Sequence, residues 1–430
     1  MKDTIRMSTH DLQRAQVLGR VDQGDLSLAA AVAVLKICYR QAKRLLARFR
    51  REGPSGLVHR RRGQPARNAY PSELRERVLA LHQGRYLDLF NDCHFVQMLR
   101  EREGLRISRE KVRQWLRAAG LGPKRRRRPP QHRSRRPRRP QRGLLMQWDG
   151  SPHPWFGPER PACCLMHAVD DATNTVLGML FRPHEDAIGY LRLLDMVLRR
   201  HGAPAAVYQD RHGALHRNDH FWSHEEQLAG MRFPTQVGRV LQELGTLAIP
   251  AYSAPAKGRI ERQGGTCQDR LIAELALEGI TDIETANVWL ETVYMSRHNA
   301  RFVRPPQAIG SAFRKVRAAE RYRVVSFAYQ ATVLNDNTVT LKGLIIQIPP
   351  GPKGRSYAQH RVLVRQHLDG RWTVWLGQER IARHAATPLR EPLRTITPHR
   401  HGEDPRIRHQ TQLYLETTPT FPQGTLLLGS

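Results

Sequence analysis

Acidic residues are scarce in this chain. Its 430 residues hold 39 Asp+Glu against 70 Lys+Arg, a formal net charge of +31 and a pI near 11.1. A chain this basic calls for a polyanionic partner, and nucleic acid is the default one. Long apolar runs are missing, as is an amphipathic basic anchor, which counts against a membrane span or an anionic membrane surface as partner. The opening Met1-Lys-Asp-Thr-Ile-Arg6 lacks the apolar core of a secretion signal, so a soluble intracellular protein is expected. Cysteine is sparse: Cys38, Cys93, Cys163, Cys164 and Cys267 form no C-x-x-C pair, and the vicinal two would point to opposite faces of a strand. Neither a disulfide framework nor a zinc ribbon is supported, and all five are expected as buried small apolar residues.

What is present divides into segments, roughly two to four domains by length alone. Residues 1–60 read as one helical domain: Leu12 to Val21, a second helix from Leu28 capped by Ser27, and a third from Tyr39 to Phe49. The third places Arg40, Lys43, Arg44, Arg48 and Arg50 opposite Ala42, Leu45, Leu46 and Phe49. A short helix, a tight turn and a basic helix is the helix-turn-helix layout, with the last helix entering the major groove; a helical hairpin with a solvated basic face is the plainer reading. A Gly-, Pro- and Arg-rich linker (53–67) follows. Residues 70–122 repeat the theme as a second helical, winged or helix-turn-helix domain, ending in a helix that Ser108 caps and that offers Arg109, Lys111, Arg113 and Arg117 around Val112, Trp115 and Leu116.

Residues 123–142 are a basic linker. Eleven of the nineteen residues from Lys124 to Arg142 are Lys or Arg, among them Arg125, Arg126, Arg127 and Arg128, with prolines between. Such a segment forms no core of its own and suits phosphate tracking or a minor groove. From 143 to 318 the pattern is mixed α/β: strands at Leu144–Trp148, Cys163–Val169, Thr175–Phe181, Ala205–Gln209 and Leu247–Pro250, with helices at Glu185–Arg200, Gln236–Leu244 and from Gly258 to Glu278. A central sheet of about five strands is expected. Residues 322–390 carry β runs that suggest a small barrel, with Lys342, Lys353, Arg355, Arg361 and Arg365 available for DNA; 391–430 read as a tail.

Three carboxylates stand out in the α/β segment. Asp149 in Met146-Gln-Trp-Asp-Gly150 and Asp210 in Val207-Tyr-Gln-Asp-Arg211 each close an apolar strand-like run, and Glu261 in Lys257-Gly-Arg-Ile-Glu261 sits early in a helix. Clustered carboxylate oxygens are what Mg²⁺ prefers, and two such ions about 3.5–4 Å apart serve phosphodiester chemistry. Asp170 and Asp171 read as turn residues instead.

These stretches resemble the DDE transposases and integrases with a retroviral-integrase-type core. Met146-Gln-Trp-Asp-Gly-Ser151, Tyr208-Gln-Asp-Arg-His-Gly213, Ala256-Lys-Gly-Arg-Ile-Glu-Arg262 with Thr266-Cys-Gln-Asp-Arg-Leu271, and Arg297-His-Asn-Ala-Arg301 before Pro305-Pro306 carry the likeness. It covers most of the chain and is nearest the bacterial insertion-sequence transposases of the ISNCY/IS481-like group. The resemblance implies an RNase H-like core in which Asp149, Asp210 and Glu261 are catalytic and bind two Mg²⁺ or Mn²⁺ ions. It implies metal-dependent cleavage at insertion-sequence ends and strand transfer into target DNA, by a homo-oligomer on paired ends in the bacterial cytoplasm, at the nucleoid. Lys257 and Arg259 would steady phosphates, or be ordinary exposed helix charges; His212 would touch DNA or pack. One position departs from the pattern: where the family commonly has a DNA-contacting glutamine, this chain has Pro255. The His/Cys zinc domain of retroviral integrases is also absent. A DNA-binding regulator or decayed element with an idle core is the alternative, which the cost of three clustered anions disfavours. A nuclease acting on RNA–DNA hybrids is a third reading, against which the tandem DNA-reading modules count.

Overall fold

Serine caps organise the N-terminal unit. Ser8 opens α1 (Thr9–Asp22) through a capping box with Asp11, and Ser27 opens α2 (Leu28–Leu35) by accepting from the Ala30 N–H. Lys36, in the left-handed region at φ 50°, ends α2 and turns the chain into α3 (Tyr39–Glu52). Leu45 and Leu46 of α3 pack on Leu18 and Leu57, while Arg40, Lys43 and Arg44 stay exposed. The computed structural model describes residues 7–59, 69–86, 89–123, 129, 136–217, 222, 224–251, 254–387, 392–393 and 413–415, without the side chains of 225, 229, 254–257 and 413–415. The chain divides into two compact units after Val78, within α4 (Ser72–Gln83).

The second unit is built on a five-stranded sheet, as its five apolar runs predict. Its strands are β1 (Met146–His153), β2 (Cys163–Asp170), β3 (Val176–Arg182), β4 (Ala206–Gln209) and β5 (Leu247–Pro250), in the order β3-β2-β1-β4-β5. The first three form an antiparallel meander, while β4 and β5 run parallel to β1. Strand β2 is buried on both faces, and its alternation sorts side chains between two layers. Cys164, Met166 and Ala168 join the core with α7 (Ala187–Arg200) and α9 (Gln236–Glu243). Cys163, Leu165 and Val169 join the core with α10 (Ala254–Leu277), α11 (Ile283–Trp289) and, after a π turn at Leu290–Tyr294, α12 (Met295–Phe302). A short helix, α8 (His224–Ala229), precedes α9. The vicinal cysteines thus face opposite cores. Cys38 and Cys93 are exposed, which corrects the expectation that all five are buried.

The second helical module belongs to this unit. In it α5 (Asp92–Arg102) and α6 (Arg109–Ala118) bury Phe95, Met98, Leu99, Val112 and Leu116. Its docking face is polar. His94 meets Glu274 of α10 at 3.0 Å with both side chains buried, and Arg297 reaches the same glutamate at 3.2 Å. Asn91 bonds Asp269, Gln97 bonds Arg270 and Arg102 pairs with Glu278.

After α12, residues 303–317 are not helical, and helix α13 (Ala318–Val324), which the sequence reading missed, leads into the C-terminal β region. There β6 (Ser326–Thr332), β9 (Arg361–His367), β10 (Trp372–Leu376) and β11 (Glu379–His384) form an antiparallel four-stranded sheet. Residues 338–347 form a hairpin, β7 (Thr338–Leu341) and β8 (Leu344–Gln347), turned at Lys342-Gly343 with both residues at positive φ. With β12 (Leu413–Leu415) it makes a three-stranded sheet, and among the described strands no hydrogen-bonded ladder joins it to the four-stranded one. Arg365 is not available for DNA: it is buried, bonding Glu243 at 3.0 Å and the Arg323 carbonyl at 3.0 Å. No helix of the described residues is long and apolar enough to cross a membrane.

Candidate active site

Strand register brings two of the three singled-out carboxylates together. Met146 pairs with Val207 and Gln147 with Tyr208 across the parallel β1–β4 ladder, so two residues further on Asp149 stands alongside Asp210. Both are half-buried. Immediately after β4 the chain turns on Asp210, whose Oδ1 accepts the His212 N–H at 3.0 Å, an Asx turn that fixes this carboxylate.

Asp149 shares its face of β1 with Gln147 and Ser151, and both of these touch α10. The Ile260 N–H donates to Gln147 Oε1 at 3.3 Å, and Gln268 Nε2 donates to Ser151 Oγ at 3.2 Å. Glu261 follows the buried Ile260 directly and is exposed. Among the described residues no three His, Cys, Asp or Glu side chains lie close enough to hold a metal ion together. The sheet therefore pairs Asp149 with Asp210, and Glu261 sits on the helix crossing β1 without completing a ready three-ligand centre.

A carboxylate the sequence reading passed over lies close enough to interact with both members of the pair. Glu185, just before α7, accepts the Tyr190 hydroxyl at 2.5 Å and has His212 Nδ1 3.7 Å away. Burial pushes its carboxyl above the ordinary range; the Tyr190 bond and His212 oppose this, and repulsion from Asp210 and Asp149 adds to it. Burial, followed by Glu185, also holds the Tyr190 hydroxyl well above its usual range. Only the Pro183-His-Glu-Asp186 run marks this place in the sequence, which predicts a helix from Glu185; the helix begins at Ala187, with Asp186 as its cap bonding the Gly189 N–H at 2.7 Å.

Asp170 is a turn residue, as expected, bonding the Gly143 and Thr173 N–H groups. Asp171 is more: it is a buried hub. It accepts from Gln147 Nε2 at 2.7 Å, from Arg259 Nη1 at 2.5 Å and from the Arg139 N–H at 2.8 Å, and pairs with Arg136. Arg138 bonds the Asp171 and Ala172 carbonyls at 3.0 and 3.3 Å. Burial, and then Arg259 and Arg304 beside it, lower the affinity of Arg138 for its proton. The last part of the basic linker is thus tied to the core, and Arg259, expected at phosphates, is spent on an internal ion pair. Lys257 and Arg125, Arg126, Arg127 and Arg128 lie outside the described side chains.

The other candidate DNA contacts sit on two helices. On α3, Arg40, Lys43 and Arg44 share an exposed face, while Arg48 is half-buried and reaches the Val58 carbonyl at 3.4 Å. On α6, Arg109 reaches the Cys93 sulfur at 3.5 Å, Lys111 lies over the Trp115 ring and Arg113 forks onto Glu110 at 2.6 and 2.9 Å. The Arg113 pair holds the Glu110 carboxyl down to about 2.

Residues 13–66 match the family model of a helix-turn-helix domain, covering α1 to α3. Over 384 residues the chain is 35% identical to the transposase-family protein y4bF of Sinorhizobium fredii, which spans 86% of this chain and 80% of that one. The chain belongs to the transposases. The transposase for insertion sequence IS1202 of Streptococcus pneumoniae is 28% identical to it over 325 residues, 68% of each chain. Among solved structures, the HTLV-2 integrase catalytic core domain in complex with magnesium is similar at 16% identity and a TM-score of 0.23, over 34% of this transposase and 84% of that chain. A likeness so distant adds nothing to the strand order already described.

Proposed function

We propose that this transposase cuts the phosphodiester at its element's ends and joins the freed 3′ ends to target DNA, with Asp149 and Asp210 as the metal-binding pair and Glu261 as the third carboxylate, supplied from α10. The observation that carries this reading is the β1–β4 register, which sets Asp149, midway along β1, beside Asp210, just past the end of β4. Their donor set fits Mg²⁺ or Mn²⁺: hard carboxylate oxygens, one of them already fixed by the His212 N–H. When bound, a pair of such ions supplies an activated attacking oxygen and stabilises the leaving one. This chain's own contribution is to hold the carboxylates in register, to keep Ile260 seated so that Glu261 is presented outward, and to bring DNA in.

For the DNA partner, the exposed Arg40, Lys43 and Arg44 face of α3 is the major-groove reader, and Arg109, Lys111 and Arg113 on α6 are the second contact. The protein acts on paired element ends as a homo-oligomer, the C-terminal sheets enclose a small barrel, and the chain falls in the ISNCY/IS481-like group; these are parts of the same proposal.

The test uses the full chain with Mg²⁺, a labelled duplex from the DNA flanking its gene and a supercoiled target, beside Asp149→Asn, Asp210→Asn and Glu261→Gln. Joined products from wild type and none from each variant are expected. End-specific binding without cleavage in Mg²⁺ or Mn²⁺ would instead identify a regulator.

A further inference from the structure

We propose that Glu185 is a positioning residue for the Asp149–Asp210 pair, acting on β1 at Gly150 and on the Asp210 turn through His212; this rests on the active-site reading above. Three observations carry it. First, the Glu185 carboxylate occupies the space a side chain at position 150 would take: a Cβ built there would lie 2.5 Å from Cδ and 2.9 Å from Cγ of Glu185. The residue after Asp149 is therefore bare where Glu185 crosses it. Second, Glu185 is itself anchored. The Tyr190 ring is fully buried and lies against Trp148, with centroids 5.0 Å apart, and its hydroxyl donates to Glu185 Oε1 at 2.5 Å. Third, the same oxygen faces His212 Nδ1 at 3.7 Å, and the His212 N–H is the donor that fixes Asp210 Oδ1.

A chain of contacts thus runs from the core at Trp148 through Tyr190, Glu185 and His212 to the Asp210 carboxylate. A third carboxylate beside two others has an electrostatic cost, which a glutamine with the same bond to Tyr190 would avoid. A glutamine there would keep the bond to Tyr190 but set an amide group where the carboxylate faces the His212 ring at 3.7 Å. Groups of this kind, which orient metal ligands without binding the metal, characteristically change metal affinity or activity by about 10–100-fold when lost.

The experiment compares the full-length wild type with Glu185→Ala, Glu185→Gln and Tyr190→Phe. Mn²⁺ alone is titrated by calorimetry without DNA, and joining kinetics are split into kcat and KM for the duplex. Glu185→Ala is expected to weaken Mn²⁺ binding and lower kcat, each by about 10-fold or more, with KM within about 2-fold. Glu185→Gln should fall between Glu185→Ala and wild type, and Tyr190→Phe should move both readouts the same way by less. Wild-type Mn²⁺ affinity and kcat in Glu185→Ala would overturn the proposal. Should that variant not fold, wild-type values in both of the near-isosteric variants would overturn it equally. Asp149→Asn is run in parallel. If it still joined DNA, the active-site reading would fail first, whereas intact Glu185 variants beside a dead Asp149→Asn refute the positioning role alone.

Discussion

Replacing Asp171 by alanine removes the one carboxylate that holds Arg136, Arg259, Gln147 and the Arg139 N–H together. The Asp171 side chain is 0% exposed and that of Arg259 16%, so this pair is shielded from water; that of Arg136 is 30% exposed and is largely rescued by solvent. Breaking a buried pair from one side costs about 3–5 kcal/mol, because a charge is left behind without its partner. Counting Arg259 alone gives about 3 kcal/mol. At about 2 °C per kcal/mol for a unit of this size, the melting temperature of the full chain should fall by roughly 6 °C. Asp171→Asn, whose single amide oxygen can keep either the Gln147 and Arg259 contacts made by Oδ1 or the Arg139 N–H held by Oδ2, but not both, should lose less. A second assay separates this account from general damage. The released Arg136 and Arg259 become available to phosphates, so non-specific duplex binding should gain about 1–2 in the slope of log affinity against log salt. A melting temperature within about 1 °C of wild type would refute the reasoning, and so would a salt slope that flattens.

Acid should destabilise this chain through three histidines. Burial, the largest cause in each, lowers His201, His298 and His367 to about 4. They stay neutral in the folded chain while the unfolded chain takes up protons near 6.5, so their stability contribution is full above pH 6.5 and is lost as pH falls toward 4. The loss approaches about 1.4 kcal/mol per pH unit for each histidine; urea unfolding at pH 7.5 and 5 should show it, His201→Gln should lessen it, and equal stabilities at the two pH values would contradict it. On α3, Lys43→Ala and Arg44→Ala should each weaken duplex binding and flatten the salt slope by about 1, with the melting temperature unchanged. An unaltered slope would remove that helix face from the interface.

Much of this arrangement was legible in residue order. The capping serine Ser27 and 3.6-residue periodicity located α1 to α3, and short apolar runs located the five strands, because helix ends and strand interiors are set by local chemistry. Asp149 and Asp210 could be read as strand-borne carboxylates for the same reason, although Asp149 lies in the middle of β1 and not at its end. Glu185 could not, since its meaning comes from contact with Gly150 and His212, which only the sheet order creates. Asp171 looked like any turn aspartate, and the arginines that surround it come from residues 136–139 and from Arg259. Charge misled in one direction: Arg259 and Arg365 counted as basic surface, yet Arg259 answers the buried Asp171 and Arg365 is itself buried against Glu243. The exposed Cys38 and Cys93 show that composition gives the usual place of a residue type, not the place of each copy.

Helix α10 is tied by polar contacts near its start and again along its dock with α5, with Gln263 and Gln268 bonding His298 and Ser151 between them. Near its start Ile260 is bonded to Gln147 and Arg259 to Asp171; further along, Asp269, Arg270 and Glu274 grip α5. From Glu261 to Glu274 the axis covers about 20 Å at the ordinary rise per residue. In that span lie Gly264 and Gly265, adjacent glycines that together weaken a helix by about 2 kcal/mol relative to alanines. The helix's own preference is therefore low here, and tertiary contacts on either side of Glu261 keep this stretch helical. The direction in which Glu261 points is thus set by what α10 packs against more than by the helix itself.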